Sequence, residues 1–463
     1  MCMLIKTIKM AKRKKTVDQP NINVDEARQS EYIARLQRML QCRTVSDNNV
    51  DETEFEKFRT VLREEFPLIH EKAECMSFDG CLVFKIKGAS DRNIILMSHH
   101  DVVEDKGEWA HPAFGAEIHD GKIFARGTLD TKTPLFAELQ AVEELLAEGF
   151  EFPVNVYIAS SNNEEVCGEG IVKAVNYWKG QGIHFEMVLD EGGAIMEKMV
   201  PGVAEHTAMV AVHEKSRHTF TCVAKKCDPK GHSGFAGKAD SPISRMAAFI
   251  DEAEHMKFKT RLYPEVRAMF EHCAPNMTFP MRYLFSNLGV FGPLLVKLLP
   301  SISAETTAML GTSLMFTSVE SVGGSKQVRP DEVRVNAFMR CVRDSDLREE
   351  VERLKAIGAK HGVEITPDIV DYCHPADFEG KPFEFVENVI HENFPNTVVA
   401  PFLLTAGTDA RRLTDVADNI YRFAPIFMTR EQFATVHSPN ENINCECVGE
   451  AVCFYKNVVK KYK

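Results

Sequence analysis

Histidines and carboxylates cluster at a few points of the chain, several of them directly after an apolar run. Residues 94–97 lead into Ser98-His99-His100-Asp101, residues 154–159 into Asn162-Asn163-Glu164-Glu165, and residues 187–189 into Asp190-Glu191-Gly192-Gly193. Asp130 stands in Arg126-Gly127-Thr128-Leu129-Asp130-Thr131-Lys132, ahead of a helical pattern that begins near Pro134. His437 stands in Thr435-Val436-His437-Ser438-Pro439-Asn440-Glu441. His and carboxylate ligands without thiolates suit zinc-class ions in hydrolytic sites. Two His, two Asp and one Glu are enough for two ions if one carboxylate bridges them. A shared Asp holds two ions at roughly 3.5–4 Å, the separation used by two-metal hydrolases. Taken singly, each residue has an ordinary reading: a hydrogen-bonded structural His, a solvated Glu pair, an Asp capping a helix. Only their joint placement points to a metal centre.

For that placement the apolar runs must be neighbouring strands. Runs at 81–86, 94–97, 154–159, 187–189 and 398–404 alternate with helical patterns such as 134–148 and 170–180. This predicts an α/β domain with a mostly parallel sheet. Ligands of open α/β sheets bind outside the carboxyl ends of the strands, so three strands would deliver His, Glu and Asp to one edge. Upstream, Tyr32, Leu36 and Leu40, then Phe55, Phe58 and Leu62, fall at helical spacing. Between 208 and 372 the order becomes strand (218–224), helix (242–255), a long insertion, strand (333–341), helix (347–361) and strand (363–371). This predicts an α+β domain inserted into the first. The insertion, about 257–325, is rich in Phe, Leu and Met. Extra helices are expected there, as an apolar wall for a bulky or acyl group or as core or subunit interface. The expected division is an N-terminal mobile arm at 1–22, a catalytic domain at 23–207 and 373–463, and the inserted domain at 208–372.

The 463 residues allow two or three domains. A net charge of -12 argues against nucleic acid and anionic membrane as general partners. No apolar run has the length of a membrane span, and the start has no signal-like apolar region. Thirteen cysteines without a C-x-x-C pair predict reduced thiols and a cytoplasmic address. Neither G-x-G-x-x-G nor G-x-x-x-x-G-K-[ST] occurs, which sets nucleotide-binding enzymes aside.

Ser98-His99-His100-Asp101-Val102-Val103, then Trp109, Pro112-Ala113-Phe114, Asp120-Gly121 and the 126–132 run, resemble the signature of the dizinc exopeptidases of peptidase family M20. That family holds aminoacylase, carboxypeptidase G, carboxypeptidase S and the dipeptidases. Asn163-Glu164-Glu165 with Gly168 and Gly170 is similar to its E-E-x-x-G stretch, and Gly407-Thr408-Asp409-Ala410-Arg411 to its G-T-D-x-R motif. Tyr421-Arg422-Phe423-Ala424-Pro425 followed by 437–441 is closest to the carboxypeptidase S branch. The resemblance implies a mostly parallel-sheet α/β catalytic domain with an inserted α+β lid or dimerisation domain. It implies that His99 and Asp190 bind one ion, Glu165 and His437 the other, with Asp130 bridging. Zinc comes first, with manganese or cobalt able to use the same ligands. Glu164 would be the general base on a metal-activated water, and Asp101 would orient His99. His232, in Gly231-His232-Ser233-Gly234, would stabilise the oxyanion, in a homodimer across the subunit interface. Arg340 and Arg411 are the candidates for holding a substrate carboxylate. The expected activity is hydrolysis of a dipeptide, short peptide or N-acyl amino acid. The alternative is a non-catalytic metal- or peptide-binding protein on the same fold.

Overall fold

The structure is a computed structural model that describes residues 2–14, 24–47, 50–226, 241–301, 304–326 and 328–463. Its main layer is a ten-stranded mixed sheet, in which Glu74–Phe78, Cys81–Ile86, Asn155–Ser161, Asn93–His99, Met187–Asp190 and Ile420–Arg422 run side by side in that order. The last four pair in parallel. Their register aligns the strand ends: His99 lies opposite Ser161, Leu96 opposite Leu189, and Asp190 opposite Arg422.

Residues 94–97 of the strand Asn93–His99 are apolar throughout because both faces are covered. Ile94 and Leu96 enter the larger core, built with the helices Glu26–Leu40, Lys132–Ala147 and Glu446–Lys461. Ile95 and Met97 enter the opposite one, with Trp178 and Ile171 of the helix Gly170–Gln181. Lys132, at the start of Lys132–Ala147, is fully buried, and its Nζ donates to the carbonyls of Cys42 (2.7 Å) and Met39 (3.3 Å). Its ammonium thereby joins the end of one core helix to the beginning of another, and burial brings its pKa down to about 8.

The second layer system is a four-stranded antiparallel sheet in the order Ser313–Val322, Glu332–Cys341, Ser216–Lys225, Val363–Asp371. Helices Pro242–Glu254 and Asp344–His361 pack on it through Phe249 and Leu354. The chain changes sheets at Lys215. Thr207–Glu214 belongs to the large sheet, paired with Val398–Leu404, so the changeover falls one strand later than the expected boundary at 208. The two strands follow one another with a single residue between them, Thr207–Glu214 buried throughout and Ser216–Lys225 alternating over its second half.

The 257–325 insertion holds the expected helices and one strand, Ser313–Val322, that periodicity did not suggest. Helix Pro264–Cys273 packs on Val398–Leu404, and the insertion shares a core with Val200, Met209 and Ala400. Within the expected N-terminal arm, Cys2–Ala11 is a helix. Thr7 and Met10 are buried, and Asn287 Nδ2 donates to Thr7 Oγ1 (3.2 Å). Packing against residues some 280 positions away supplies what local sequence could not.

Candidate metal centre and active site

Four of the expected ligands meet directly. His99 Nε2 is 3.0 Å from Asp130 Oδ1, and His437 Nε2 is 2.9 Å from Asp130 Oδ2 and 3.1 Å from Glu165 Oε2. Each oxygen of Asp130 thus addresses one histidine, the arrangement a bridging carboxylate requires. Ligand atoms of His99, Asp130 and Glu165 all lie within 4.8 Å of one another. Asp190 and Glu164 line one small cavity with His99, Ser161, Glu191 and Asp409. The main-chain N–H of Ala410 donates to Asp190 Oδ2 (3.1 Å).

Asp101 is fully buried between two elements. Its main-chain carbonyl accepts from His99 Nδ1 at 2.9 Å, and its carboxylate stands 3.4 Å from the same nitrogen. The carboxylate oxygens accept the amides of Glu164 and Glu165, both at 3.1 Å. Asp101 therefore fixes the 164–165 turn as much as the His99 ring. His100 is not a ligand: it is buried, stacked on Phe58 (5.0 Å), and burial lowers its pKa to about 3.

Charge at this edge is unbalanced. Burial pushes Asp190 up to about 7, against the pull of Arg422, and raises Glu164 well above its usual value with help from Asp409. Glu165, Glu191 and Asp409 are raised by burial as well. Burial acts the same way on Asp130, but hydrogen bonds from His437 and His99 outweigh it and hold its carboxyl low. Those to Asp130 and Glu165 raise His437 to about 10. Six carboxylates around two imidazoles cannot all ionise without added positive charge. Donor atoms sharing one tetrahedral ion at Zn–N/O lengths stand about 3.4 Å apart, close to the separations seen here. On geometry and charge, the residues fit a dinuclear centre.

Residues outside the expected set hold this edge together. Glu441 is fully buried, and its Oε1 accepts the amides of Gly127 (3.1 Å), Leu129 (2.7 Å) and Asp130 (3.2 Å). Its Oε2 pairs with Arg126 at 2.6 Å. One carboxylate from the His437 loop thus shapes the Asp130 loop. Glu214 pairs with the buried Arg422 (2.8 Å) and accepts from Thr408 N (3.1 Å), fixing the loop of Asp409. The backbone of His437 is left-handed (φ 58°), an uncommon state for a side-chain-bearing residue that recurs at functional sites.

Arg340, on strand Glu332–Cys341, and Arg411, in the short helix Asp409–Leu413, converge: a Cβ on Gly407 would press on Nη1 of both. Arg340 Nη1 is buried without a hydrogen-bond partner among the described residues. Arg217, cross-strand from Arg340, adds a third guanidinium, partnered by Asp371 (3.2 Å) and Cys167. Sequence reasoning missed Arg217, Glu214 and Glu441, whose partners lie far along the chain. His232 falls outside the described residues.

Residues 95–461 match Peptidase family M20/M25/M40. Among curated proteins, the "Probable carboxypeptidase S-like 2" of Dictyostelium discoideum is 28% identical over 449 residues, covering 93% of this chain and 85% of that one. The "N-fatty-acyl-amino acid synthase/hydrolase PM20D1.1" of Danio rerio is 30% identical over 428 residues, covering 89% and 81%. Among solved structures, the M20 metallo-carboxypeptidase Sso-CP2 of Sulfolobus solfataricus superposes with a TM-score of 0.68 at 18% identity, over 94% of this chain and 99% of that one. A dinuclear metal-binding M20 peptidase of Bacillus subtilis does so with 0.55 at 15%, over 94% and 100%. The ordered motifs, the α/β fold with its second sheet and the match over most of its length make this chain a member of peptidase family M20/M25/M40, with relatives in the carboxypeptidase S branch.

Proposed function

We propose that this hydrolase cleaves the amide bond of a small substrate with a free carboxylate, an N-acyl amino acid or a short peptide, with Glu164 as general base. The observation that carries the reading is a divided site. Glu164 shares a small cavity with His99 and Asp190, while Arg340 and Arg411 meet at Gly407 with a guanidinium nitrogen that has no hydrogen-bond partner among the described residues. The names of the Danio rerio relative and of human carnosine dipeptidase 1, which shares the fold, are in keeping with both substrate classes.

His99 and Asp190 would hold one ion, Glu165 and His437 a second, with Asp130 between them; zinc is the first choice. Bound ions would supply Lewis acidity and bring the pKa of water towards neutrality. Burial and Asp409 raise the proton affinity of Glu164, and the positive charge of bound ions would favour its ionised, proton-accepting form. It takes a proton from the attacking water and returns it to the leaving amine. Asp101 keeps Glu164 in place through its amide. Arg340 and Arg411 orient the substrate by a charge-assisted grip on its carboxylate.

The test is Glu164→Gln, with metal counted by mass spectrometry and amino-acid release followed over a panel of N-acyl amino acids and dipeptides. The expected result is about two ions per chain in both proteins and a loss of turnover of roughly 10²–10⁴-fold. Undiminished turnover would remove Glu164 from the chemistry. No release by the parent protein with zinc, manganese or cobalt would favour a binding protein on this fold.

A further inference from the structure

The helices Cys2–Ala11, Phe279–Phe285 and Leu288–Leu298 expose apolar surface to an unusual degree. Nineteen large hydrophobic residues are exposed among the described residues, and eight of them sit on these three helices. Such concentration marks a contact surface, whereas single exposed apolar residues are ordinary. Leu288–Leu298 is apolar on two faces. Leu288, Gly292 and Leu295 point into the protein, and Val290, Leu294 and Leu298 form an outer stripe at i, i+4, i+8. A helix apolar all round is normally covered all round. Cys2–Ala11 is built similarly: Thr7 and Met10 face inward, Leu4, Ile5 and Ile8 outward, and the stripes' exposures run from 45% to 62%. Asn287, at the head of Leu288–Leu298, ties the two helices through Thr7 Oγ1.

Charge identifies the cover. Residues 2–14 and 279–301 carry seven lysines and arginines, five of them at 6–14, and no aspartate or glutamate, in a chain of net charge -12. Lys6, Lys9, Lys12 and Arg13 are exposed beside the apolar stripe of the first helix. A like-charged second copy would be repelled by such a rim, whereas an anionic lipid surface is attracted to it. Crossing a bilayer is not the fit: no single helix among the described residues is long and apolar enough. The stretch 279–301 has the composition of a span but turns by 99° between its two helices. A bent apolar pair with a basic rim suits shallow insertion in the membrane plane.

We propose that these three helices form an in-plane docking surface for an anionic lipid bilayer. The inference does not depend on the hydrolytic reading, because its test reads binding. The full chain is sedimented with large unilamellar vesicles of phosphatidylcholine, with and without one quarter phosphatidylserine, at 50 mM and 200 mM salt. The expected result is binding to the anionic vesicles, at least tenfold weaker on neutral ones and weakened by salt. Leu4→Glu with Ile8→Glu, Val290→Glu with Leu294→Glu, and Lys6→Glu with Lys9→Glu should each reduce binding tenfold or more. Their circular dichroism and hydrolysis of a soluble substrate should match the parent, which separates a lost docking surface from a lost fold. Absence of binding to anionic vesicles overturns the proposal, as does equal binding to neutral ones. So does a dimer in analytical ultracentrifugation that the same substitutions dissociate while vesicle binding persists, since the surface then joins two copies.

Discussion

The Nη1 atom of Arg340 is buried without a hydrogen-bond partner among the described residues, in the field of Glu214 and of the guanidiniums of Arg411 and Arg217. A protein tolerates such a group where a ligand completes it, because a buried donor left unpaired is costly. A substrate carboxylate would complete it. Arg340→Ala should therefore lower kcat/KM for a substrate with a free carboxylate by about 10–100-fold, the worth of a hydrogen bond to a charged group. The same substrate with its carboxylate amidated should change by less than about threefold. Measuring both ratios separates a substrate contact from a structural one, since a structural role would depress them together. The residue types of this site are visible in sequence, as are Glu164, Asp130 and His437. The partnership of Arg217 with Arg340 is not, because it comes from the register between strands more than a hundred residues apart.

At the scale of elements, the site depends on loops that shape one another. Glu441 accepts three amides of the Asp130 loop and pairs with Arg126, across more than 300 residues of chain. It touches neither expected metal-binding histidine, yet it sets where Asp130 stands between them. Glu441→Gln keeps one carbonyl oxygen but loses the charged pair and the second acceptor. We expect metal affinity to fall by about 10–100-fold, as for other groups that orient ligands, with the fold retained. Competition with a graded chelator measures it; unaltered affinity would mean that the loop holds its shape alone. The strand ends were readable in advance because an apolar run followed by His or acidic residues is a local pattern. The cradle was not, since any glutamate near a turn reads as solvated.

Across the whole molecule, the buried helix layer is joined by charge as well as by apolar contact. Glu144 receives hydrogen bonds from Tyr32, Arg28, Gln140 and Lys456, linking three helices. Burial acts to raise its pKa, but these bonds prevail and lower it from 4.5 to about 2. A carboxyl depressed in the folded state stabilises above its unfolded pKa, and the effect is lost as pH falls through the folded one. The contribution is thus complete at neutral pH and disappears between about pH 4.5 and 2. Since Arg28 is partly exposed, screening trims the linkage value to about 2 kcal/mol. Glu144→Gln should be less stable than the parent by that amount at pH 7, and the difference should close as pH falls to about 2. Urea titrations at a series of pH values test it, and a pH-independent difference would assign the loss to packing.

Sequence by itself determined the class of the fold and the composition of the candidate site. Strands such as Asn93–His99 and Val398–Leu404 are short, apolar on both faces and bounded by polar turns, so local pattern suffices to find them. Only the tertiary structure decided the rest. It divided the stretch around Lys215 between two sheets, because Thr207–Glu214 pairs with Val398–Leu404 and Ser216–Lys225 with Glu332–Cys341, partners more than a hundred residues away. It made a helix of residues 2–11, whose buried side chains find their cover on an insertion far along the chain. It also brought Arg340 of a strand and Arg411 of a short helix together and assigned Glu441 its three amides. In each case the deciding contact joins residues whose separation along the chain leaves no local trace, so it exists only once the chain has closed.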